Sequence, residues 1–596
     1  MSQGIGLAAQ IHQSCCGVRY RGTTTSEMAH YWIEENIIKT EDVNYNFDGL
    51  GGIGHVFFEK MKKQGLKIAQ ILASTGERDT FESLLQRCIR CAIALQKKGI
   101  KKGDIVTGCS DNHLDACVPI IASFFIGAIP CSLDPTLSNI ELEKLISAVR
   151  PKIIFTVRDS LKEIKYFAKK LELKSEIVVF GETSEFTPFS DFVEPQELEN
   201  DFKPIIIKDH METAVIYFSS GTSGFPKGIC LNHYYYLHHS PLVPQPINND
   251  VDTTRRQFEM KMREGPISFL TYGSLYWNSS GMGLFMSAIT GVTRLLCSSF
   301  DPQEFWYLVD KYRVFNVFLS PFQVSELVKN GKPTDTNCDT LVRIITGGSA
   351  LSKEKIFALQ ELLPETDIIP TYGQTEVGIL TSFQVHHKTQ RQLYKNNPDI
   401  VGIPIRGIWY KVVDPETREI LGANQPGELL IKAKTVMNCY YQRDCSNRYD
   451  KDGWFRTGDV VKYDEDCNFY VVDRVKEMLK YRGWHIPPAI LELELSHHPA
   501  VRQSVVIGRK HEEDGDHPMA IVVLENEYKG KVTEEDIAKY IEERVQDKQR
   551  LRGGVMFVDS IPLTPSGKVK RNELRDLAEQ QYCWRYSKRP SIGNFY

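Results

Sequence analysis

Short apolar runs alternate with segments of helical periodicity from about residue 65 to residue 346. Runs of this kind, bounded by turn residues, are typical of strands that are buried on both faces. Their alternation with helices predicts mainly parallel sheets covered by helices, which is an α/β fold. The runs expected to form strands are Ile153–Val157, Ser175–Phe180, Thr213–Phe218, Pro266–Thr271, Val314–Ser320 and Leu341–Thr346.

The pattern changes near residue 400, where short segments of alternating polarity lie between turn residues. This pattern predicts a small β unit, and the mixed pattern after about residue 477 predicts a further small α+β domain. Strands of the β unit are expected at Trp409–Val413, Gly427–Lys432 and Cys467–Val472. The predicted organisation is an N-terminal tail over 1–45, a large domain with two parallel-type sheets and the β unit over 46–473, a small C-terminal domain over 474–580 and a C-terminal tail over 581–596.

Length and composition narrow the class of protein. The chain has 596 residues, which is too long for a single hydrophobic core. Hydrophobic residues make up 42% and charged residues 25%, a balance that excludes a mainly disordered chain. The formal net charge of −4 shows no basic excess of the kind that binds nucleic acid. The 14 cysteines are scattered, which favours a reducing, intracellular environment.

No segment is expected to span a membrane. The best candidate, Ala116–Cys131, is interrupted by prolines and polar residues, so we expect a buried helix followed by a strand. The N-terminal residues include Arg19 and Arg21 and have no acid before Glu27. This composition favours a mitochondrial presequence, and the alternative is a disordered tail on a cytoplasmic protein. The last three residues do not form a peroxisomal signal of the S-K-L type.

The most informative motif directly follows the predicted strand Thr213–Phe218. It is rich in glycine and hydroxyl side chains and ends on Lys227, so backbone N–H groups, hydroxyls and a cation can surround a phosphate. It is not a P-loop, because Pro226 precedes the lysine and no Ser or Thr follows it. A flexible linker would not need this order of residues. The candidate phosphate-binding residues are Ser219, Ser220, Gly221, Thr222, Ser223 and Lys227.

This motif resembles the phosphate-loop signature of the adenylate-forming enzymes, which include acyl-CoA synthetases, 4-coumarate–CoA ligases and beetle luciferases. Further strings match the family in the expected order, and the resemblance runs from about residue 45 to residue 580. They are Thr346-Gly347-Gly348-Ser349-Ala350-Leu351, Thr371-Tyr372-Gly373-Gln374-Thr375-Glu376, Gly453-Trp454-Phe455-Arg456-Thr457-Gly458-Asp459, the stretch from Val472 to Gly483, Leu551-Arg552-Gly553-Gly554-Val555 and Pro562-Leu563-Thr564-Pro565-Ser566-Gly567-Lys568.

The resemblance implies ATP, Mg²⁺ and coenzyme A as the small molecules that the protein uses. Activation of a carboxylic acid by ATP builds negative charge on the phosphates, and cations must offset it. In the family's pattern Glu376 is the Mg²⁺ ligand, and Lys568 bridges the acid and the α-phosphate. Thr222 belongs to the catalytic loop, and Gly348 and Ser349 belong to the nucleotide segment. The remaining nucleotide contacts implied are Tyr372 on adenine, Thr375 near the α-phosphate, Asp459 on the ribose hydroxyls and Arg474 on the ribose or phosphate.

The resemblance also implies a second half-reaction, in which the thiol of coenzyme A attacks the acyl-adenylate. The small C-terminal domain is expected to rotate about a hinge at Lys476, so that Lys568 leaves the centre. The face that carries Lys480 then arrives. The residues expected to contact coenzyme A are Arg482, Gly483 and Arg552.

The acid is predicted from the positions where luciferases contact luciferin. Trp277 stands where the second histidine of their His-His-Gly-Phe-Gly segment would be, and the apolar Ile379 and Leu380 follow Glu376. These three residues predict an apolar acyl pocket. The sequence therefore predicts an AMP-forming acid–CoA ligase for medium- or long-chain fatty acids. The alternatives are an aryl (4-coumarate-like) acid–CoA ligase, a luciferase-type monooxygenase and a non-catalytic nucleotide-binding relative. The oligomeric state is not predicted.

Overall fold

The structure is a computed structural model that describes residues 31–43, 49–218, 227–240, 265–349, 351–383, 388–482, 484–563 and 568–587. Residues 1–30, which include Arg19, Arg21 and Glu27 of the predicted N-terminal tail, lie outside the described residues. Part of the predicted N-terminal tail forms a regular hairpin, in which Tyr31–Glu34 pairs with Ile37–Thr40. Tyr31, Ile38 and Thr40 are buried. The expectation of a tail over all of residues 1–45 was therefore wrong for this segment, because its few apolar residues are enough to add it to a sheet.

The large domain contains a mainly parallel sheet of eight strands within the described residues. The pairs from Ile129–Leu133 outward are parallel, and the apolar strands are buried on both faces, as the uninterrupted apolar runs predicted. The predicted strand Thr213–Phe218 has the observed bounds. In spatial order the strands are Cys439–Tyr440, Gly228–Asn232, Thr213–Phe218, Ile129–Leu133, Ile105–Cys109, Ile153–Thr156, Glu176–Val179 and Thr187–Pro188.

A second parallel-type sheet has nine strands in the part of the chain that is described. Its central strands are parallel, and antiparallel strands close both edges. In spatial order they are Ile403–Pro404, Gly378–Ser382, Asp367–Gln374, Arg343–Gly347, Val314–Leu319, Ser268–Thr271, Thr293–Leu296, Ile68–Leu72 and Arg78–Thr80. The α/β class predicted from the alternating pattern is confirmed.

Helices cover the faces of these sheets. The segment Ala116–Cys131 forms a buried helix and then a strand, as predicted, and no helix among the described residues is long and apolar enough to cross a membrane. The α-helices are Gly52–Gln64, Phe81–Lys97, Val118–Ile126, Asn139–Val149, Arg158–Lys170, Ser190–Val193, His233–His238, Asn278–Thr290, Pro302–Lys311, Pro321–Asn330, Lys353–Leu362, Lys388–Asn396, Pro488–Ser496, Glu534–Glu542 and Arg571–Ser587. Short 3₁₀ turns are Glu199–Asp201, Ser446–Arg448, Asn526–Tyr528 and Asp547–Gln549.

The predicted β unit is an antiparallel sheet of six described strands that includes the N-terminal hairpin. Its last strand begins at Phe469, two residues later than predicted. Cys467 has a φ of 59° in the preceding turn, which an extended strand does not allow. The strands are Tyr31–Glu34, Ile37–Thr40, Ile408–Val413, Gly427–Ala433, Phe455–Tyr463 and Phe469–Arg474.

The C-terminal region has a separate sheet and its own core. Apolar residues such as Leu491, Val506 and Ile537 form this core with the helices Pro488–Ser496 and Glu534–Glu542. The mixed α+β character is as predicted, whereas the domain boundaries remain predictions. The strands of this sheet are Leu479–Tyr481, Trp484–Ile486, Val501–His511, Gly515–Leu524 and Gly554–Phe557.

Candidate active site

A cavity of about 1330 Å³ lies between the large domain and Lys568 of the C-terminal region. Its walls include the carboxyl ends of the parallel strands Arg343–Gly347 and Asp367–Gln374, where ligands of α/β proteins generally bind. Among the predicted site residues, those that line it are Lys227, Trp277, Gly348, Ser349, Thr375, Glu376, Ile379, Arg474, Lys476 and Lys568. Residues from widely separated motifs therefore share one cavity.

The predicted phosphate loop follows the strand Thr213–Phe218, whose last residue, Phe218, lines this cavity. Ser219, Ser220, Gly221, Thr222 and Ser223 lie outside the described residues, so their contacts remain predictions. Lys227 follows the loop and lines the cavity. Its Nζ lies 5.0 Å from the centre of the Tyr440 ring, a cation–π distance.

Glu376 is held in the cavity wall by two residues of the eight-stranded sheet's edge region. The hydroxyl of Tyr440 donates to its Oε1 at 2.9 Å, and the amide of Met437 donates to its backbone carbonyl at 2.7 Å. Burial and the charge of Glu376 raise the pKa of Tyr440, so this tyrosine stays protonated and acts as a donor. A carboxylate on the wall suits Mg²⁺, which prefers oxygen ligands. Sequence analysis did not identify Tyr440, because it belongs to none of the motifs.

Asp459 is buried, accepts hydrogen bonds from two side chains and forms an ion pair with a third. Its Oδ2 accepts from the hydroxyl of Tyr372 at 2.7 Å and from the amide of Gln374. Arg474 is its partner across the antiparallel strands, and Nε of Arg474 lies 3.2 Å from Oδ1. Tyr372, expected to stack on adenine, is buried behind the wall and does not line the cavity in this structure. Gln374 was missed as a site residue, although its motif was recognised.

Lys568 projects toward the glycine-rich nucleotide segment. Its Cε lies 4.0 Å from the position that a Cβ on Gly348 would occupy, and Gly348 has a φ of 89°, which favours glycine. The pKa of Lys568 is lowered to about 8, first by burial and then by the charge of Arg474. Glu376 and Asp459 oppose this shift. The predicted catalytic lysine thus lies among the charged groups that the sequence motifs supply.

Lys476 lies in the turn between the strands Phe469–Arg474 and Leu479–Tyr481, which belong to different sheets. Its side chain lines the cavity. The pKa of Lys476 is lowered to about 8, first by burial and then by the charge of Arg474. A turn that joins the two sheets is a suitable place for the predicted hinge, which remains a prediction.

The side chains predicted for the second half-reaction do not line the cavity. Lys480 is exposed, with Nζ 3.5 Å from a carboxylate oxygen of Glu416. Arg482 and Arg552 lie together over Tyr481, with guanidinium carbons 5.5 Å and 4.8 Å from its ring centre. Gly483 lies outside the described residues. The structure therefore brings Lys568 to the cavity and leaves the Lys480 face outside it.

Two of the three residues predicted for the acyl pocket line the cavity, and their contact with an acyl chain remains a prediction. Trp277 and Ile379 line the cavity, and the Trp277 ring packs edge-on against Tyr276 at 4.9 Å. The assignment of Leu380 to this pocket was wrong, because Leu380 is fully buried in the protein core. Successive side chains of the strand Gly378–Ser382 point to opposite faces, so Ile379 and Leu380 cannot both face the cavity. Polar residues of this region that sequence analysis missed include Asn278, Asn316 and Arg343.

Comparison with known proteins agrees with this arrangement of fold and site. A family model described as AMP-binding enzyme matches residues 57–441, and the model of the AMP-binding enzyme C-terminal domain matches residues 491–568. The chain is 31% identical to 4-coumarate–CoA ligase 3 of Arabidopsis thaliana over 87% of this chain and 90% of that protein.

Two further similarities are with luciferases and a luciferase-like protein. The chain is 28% identical to luciferin 4-monooxygenase of Photinus pyralis over 88% of this chain and 94% of that protein. The solved structure of the luciferase-like enzyme from the nonluminescent mealworm Zophobas morio is 33% identical, with a TM-score of 0.66, and covers 74% of this chain and 99% of its own. With both family models matched in order and the motif residues gathered at one cavity, the chain belongs to the AMP-binding, adenylate-forming enzyme family.

Proposed function

We propose that this protein, an ATP-dependent acid–CoA ligase of the adenylate-forming family, acts on a fatty acid of medium or longer chain. The observation that carries this proposal is the continuity of the cavity. Cationic side chains stand at the Lys568 end, and the same cavity continues past Phe318 and Ile345. A volume of about 1330 Å³ accommodates a nucleotide together with an extended acyl chain.

In the first half-reaction a carboxylate oxygen of the acid attacks the α-phosphorus of ATP. An acyl–O–P bond forms, the bond to the bridging oxygen breaks, and pyrophosphate leaves. Lys227, Arg474 and Lys568 place positive charge around this centre, and Glu376 would hold the Mg²⁺ that offsets charge on the phosphates when ATP is bound. The predicted loop Ser219–Ser223 supplies the hydroxyl and amide donors.

In the second half-reaction the thiolate of coenzyme A attacks the carbonyl carbon of the acyl-adenylate. A thioester bond forms, and AMP leaves with the electron pair of the broken C–O bond. Lys568 occupies the centre in the observed arrangement, so the thiol needs a different face of the C-terminal region. Rotation about Lys476 would bring Lys480, Arg482 and Gly483 inward. The guanidinium groups of Arg482 and Arg552 suit the phosphates of coenzyme A, because arginine can donate two parallel hydrogen bonds to a phosphate.

An aryl acid is the second candidate substrate. Its support is the 31% identity to an enzyme named 4-coumarate–CoA ligase, together with the aromatic wall formed by Tyr276 and Trp277. A luciferase-type reaction, in which oxygen attacks the adenylate, is the third candidate and is tested by light output.

The proposal is tested with purified protein, ATP, Mg²⁺, coenzyme A and a panel of straight-chain and aryl acids. AMP release and the mass of the thioester are measured, with light output recorded for candidate luciferins. We expect thioester formation to be fastest with a straight-chain acid and to disappear in Lys568→Ala. Faster turnover of an aryl acid would reverse the substrate assignment, and absence of AMP release with every acid would refute the ligase itself.

A further inference from the structure

One wall of the cavity is a regular ladder of side chains from two parallel strands. Asn316, Phe318 and Ser320 line the cavity from one strand, and Arg343, Ile345 and Gly347 line it from the next. Their register pairs Asn316 with Arg343 and Phe318 with Ile345. Of the intervening residues, Val317, Leu319 and Ile344 belong to the hydrophobic core on the other face, as strand alternation requires.

The three rows of this ladder differ in chemistry along the cavity. Gly347 precedes Gly348, the residue that Lys568 approaches, so the first row lies at the reacting end. Phe318 and Ile345 form an apolar second row. Asn316 and Arg343 form a polar third row. Arg343 lies four positions before Gly347 in the strand, which corresponds to about 13 Å at roughly 3.3 Å per residue.

Arg343 places a positive charge in the third row of the ladder, beyond the apolar second row. Its Nε and Nη2 atoms are buried and have no hydrogen-bond partner among the described residues. Burial lowers the pKa of Arg343, and the neighbouring carboxylate of Asp367 only partly opposes this shift. A guanidinium remains charged in proteins even so, and a buried charge without hydrogen bonds is costly.

The nearby acid does not neutralise this charge. Asp367 is the cross-strand neighbour of Arg343, yet its Oδ1 already accepts a hydrogen bond from Nε of Arg391 at 2.7 Å. Nζ of Lys395 lies 3.9 Å from the same oxygen. Arg391 and Lys395 thus already share this carboxylate, which leaves the charge of Arg343 only partly offset.

The hydrocarbon end of an unsubstituted fatty acid would leave this guanidinium without a partner. A carboxylate in the cavity would instead offset its charge and accept a hydrogen bond from the guanidinium. The amide of Asn316 stands beside it, and its Oδ1 also has no hydrogen-bond partner among the described residues. A side-chain amide can present its NH₂ group to the same anion after rotation.

We infer that the acid ligated at this site carries a second anionic group, a carboxylate, at its far end, and that Arg343 binds this group. The inference rests on the proposed ligase function and specifies its substrate class. The fatty chain between the two carboxylates would lie along Phe318 and Ile345. Arg343 is then a specificity-determining residue for a medium-length α,ω-dicarboxylic acid.

The test compares straight-chain monocarboxylic, ω-hydroxy and α,ω-dicarboxylic acids of equal length, over a series of lengths. The readout is kcat/KM for pyrophosphate release with the full chain, ATP, Mg²⁺ and coenzyme A. We expect the dicarboxylic acid of best length to exceed its monocarboxylic match by about 10- to 100-fold, as for hydrogen bonds to a charged group. Arg343→Met should remove this advantage, and Arg343→Lys should keep part of it.

Arg391→Lys is the matched control, because it keeps a cation beside Asp367 and position 391 does not line the cavity. It should lower thermal stability and leave the ratio of the two acids unchanged. Arg343→Gln provides a second charge-removing variant if Arg343→Met does not fold.

Three results would overturn the inference. A preference for the monocarboxylic acid that Arg343→Met leaves unchanged would overturn it while the ligase function stands. A preference for the ω-hydroxy acid that depends on Arg343 would overturn the anionic assignment. Absence of turnover with every acid, aryl acids included, would refute the ligase function and this inference with it.

Discussion

The hydroxyl of Tyr440 donates a hydrogen bond of 2.9 Å to Oε1 of Glu376. The two residues come from strand Cys439–Tyr440 at the edge of one large sheet and from a turn at the edge of the other. Met437 fixes the backbone of Glu376 through a further hydrogen bond of 2.7 Å. The predicted Mg²⁺ ligand, in a turn of the nine-stranded sheet, is thereby positioned by the eight-stranded sheet, so its placement depends on how the two sheets pack.

Tyr440→Phe should weaken the use of Mg²⁺ without unfolding the protein. Loss of a hydrogen bond to a charged group typically lowers the interaction by about 10-fold, and the freed carboxylate can rotate away from the metal. We therefore expect the half-saturating Mg²⁺ concentration in ATP–pyrophosphate exchange to rise about 10-fold. Tyr441→Phe is the control, because Tyr441 is next to Tyr440 in the chain but does not line the cavity. Equal effects of both variants would assign the loss to general destabilisation.

Lys568→Ala should separate the two half-reactions. Loss of the cation that faces the α-phosphate is expected to lower acid-dependent ATP–pyrophosphate exchange by about 100- to 1,000-fold, as for other groups that stabilise developing charge. Thioester formation from preformed acyl-adenylate should change little, since a different face of the C-terminal region then occupies the centre. Equal loss of both activities would contradict this division.

The lowered pKa of Lys568 predicts a pH dependence of the first half-reaction. The ammonium form is the active one, so kcat/KM for ATP should fall as the pH rises through about 8. In Lys568→Arg this descending limb should move to higher pH, because arginine stays charged. Lys476→Arg is the control, since the pKa of Lys476 is also lowered to about 8. A limb that moves only in the Lys476 variant would assign the titration to the hinge lysine.

Tyr372→Phe should raise KM for ATP by about 10-fold. Its hydroxyl donates to Asp459 at 2.7 Å in a buried setting, so its loss leaves the predicted ribose-binding carboxylate short of one donor. Asp459→Asn should have a larger effect, because it also removes the ion pair with Arg474. ATP titrations of the purified variants measure both changes. If Tyr372 instead stacks on adenine, Tyr372→Phe should leave KM unchanged and Tyr372→Ala should raise it.

The sequence predicted those parts of the fold and site that depend on local patterns. Thr213–Phe218 has its predicted bounds because a buried parallel strand is a continuous apolar run. Lys568 and Glu376 were found because each belongs to an ordered motif. Two features were not predicted: the hydrogen bond from Tyr440 to Glu376, and the pairing of Asn316 with Arg343. Both depend on which strands lie side by side and in what register. Such contacts join distant parts of the chain, and periodicity within one strand does not specify them.

Trp277 and Leu380 provide the final prediction, because the sequence assigned both to the acyl pocket and the structure separates them. Trp277 lines the cavity and Leu380 is fully buried in the core. Trp277→Ala should therefore shift the preference toward longer or bulkier acids, measured as kcat/KM over a series of acids, with little loss of stability. Leu380→Ala should leave the acid profile unchanged and lower the free energy of unfolding by about 2–5 kcal/mol, the usual cost of a core cavity. A changed acid profile in Leu380→Ala, with an unchanged one in Trp277→Ala, would reverse the assignment of the two side chains.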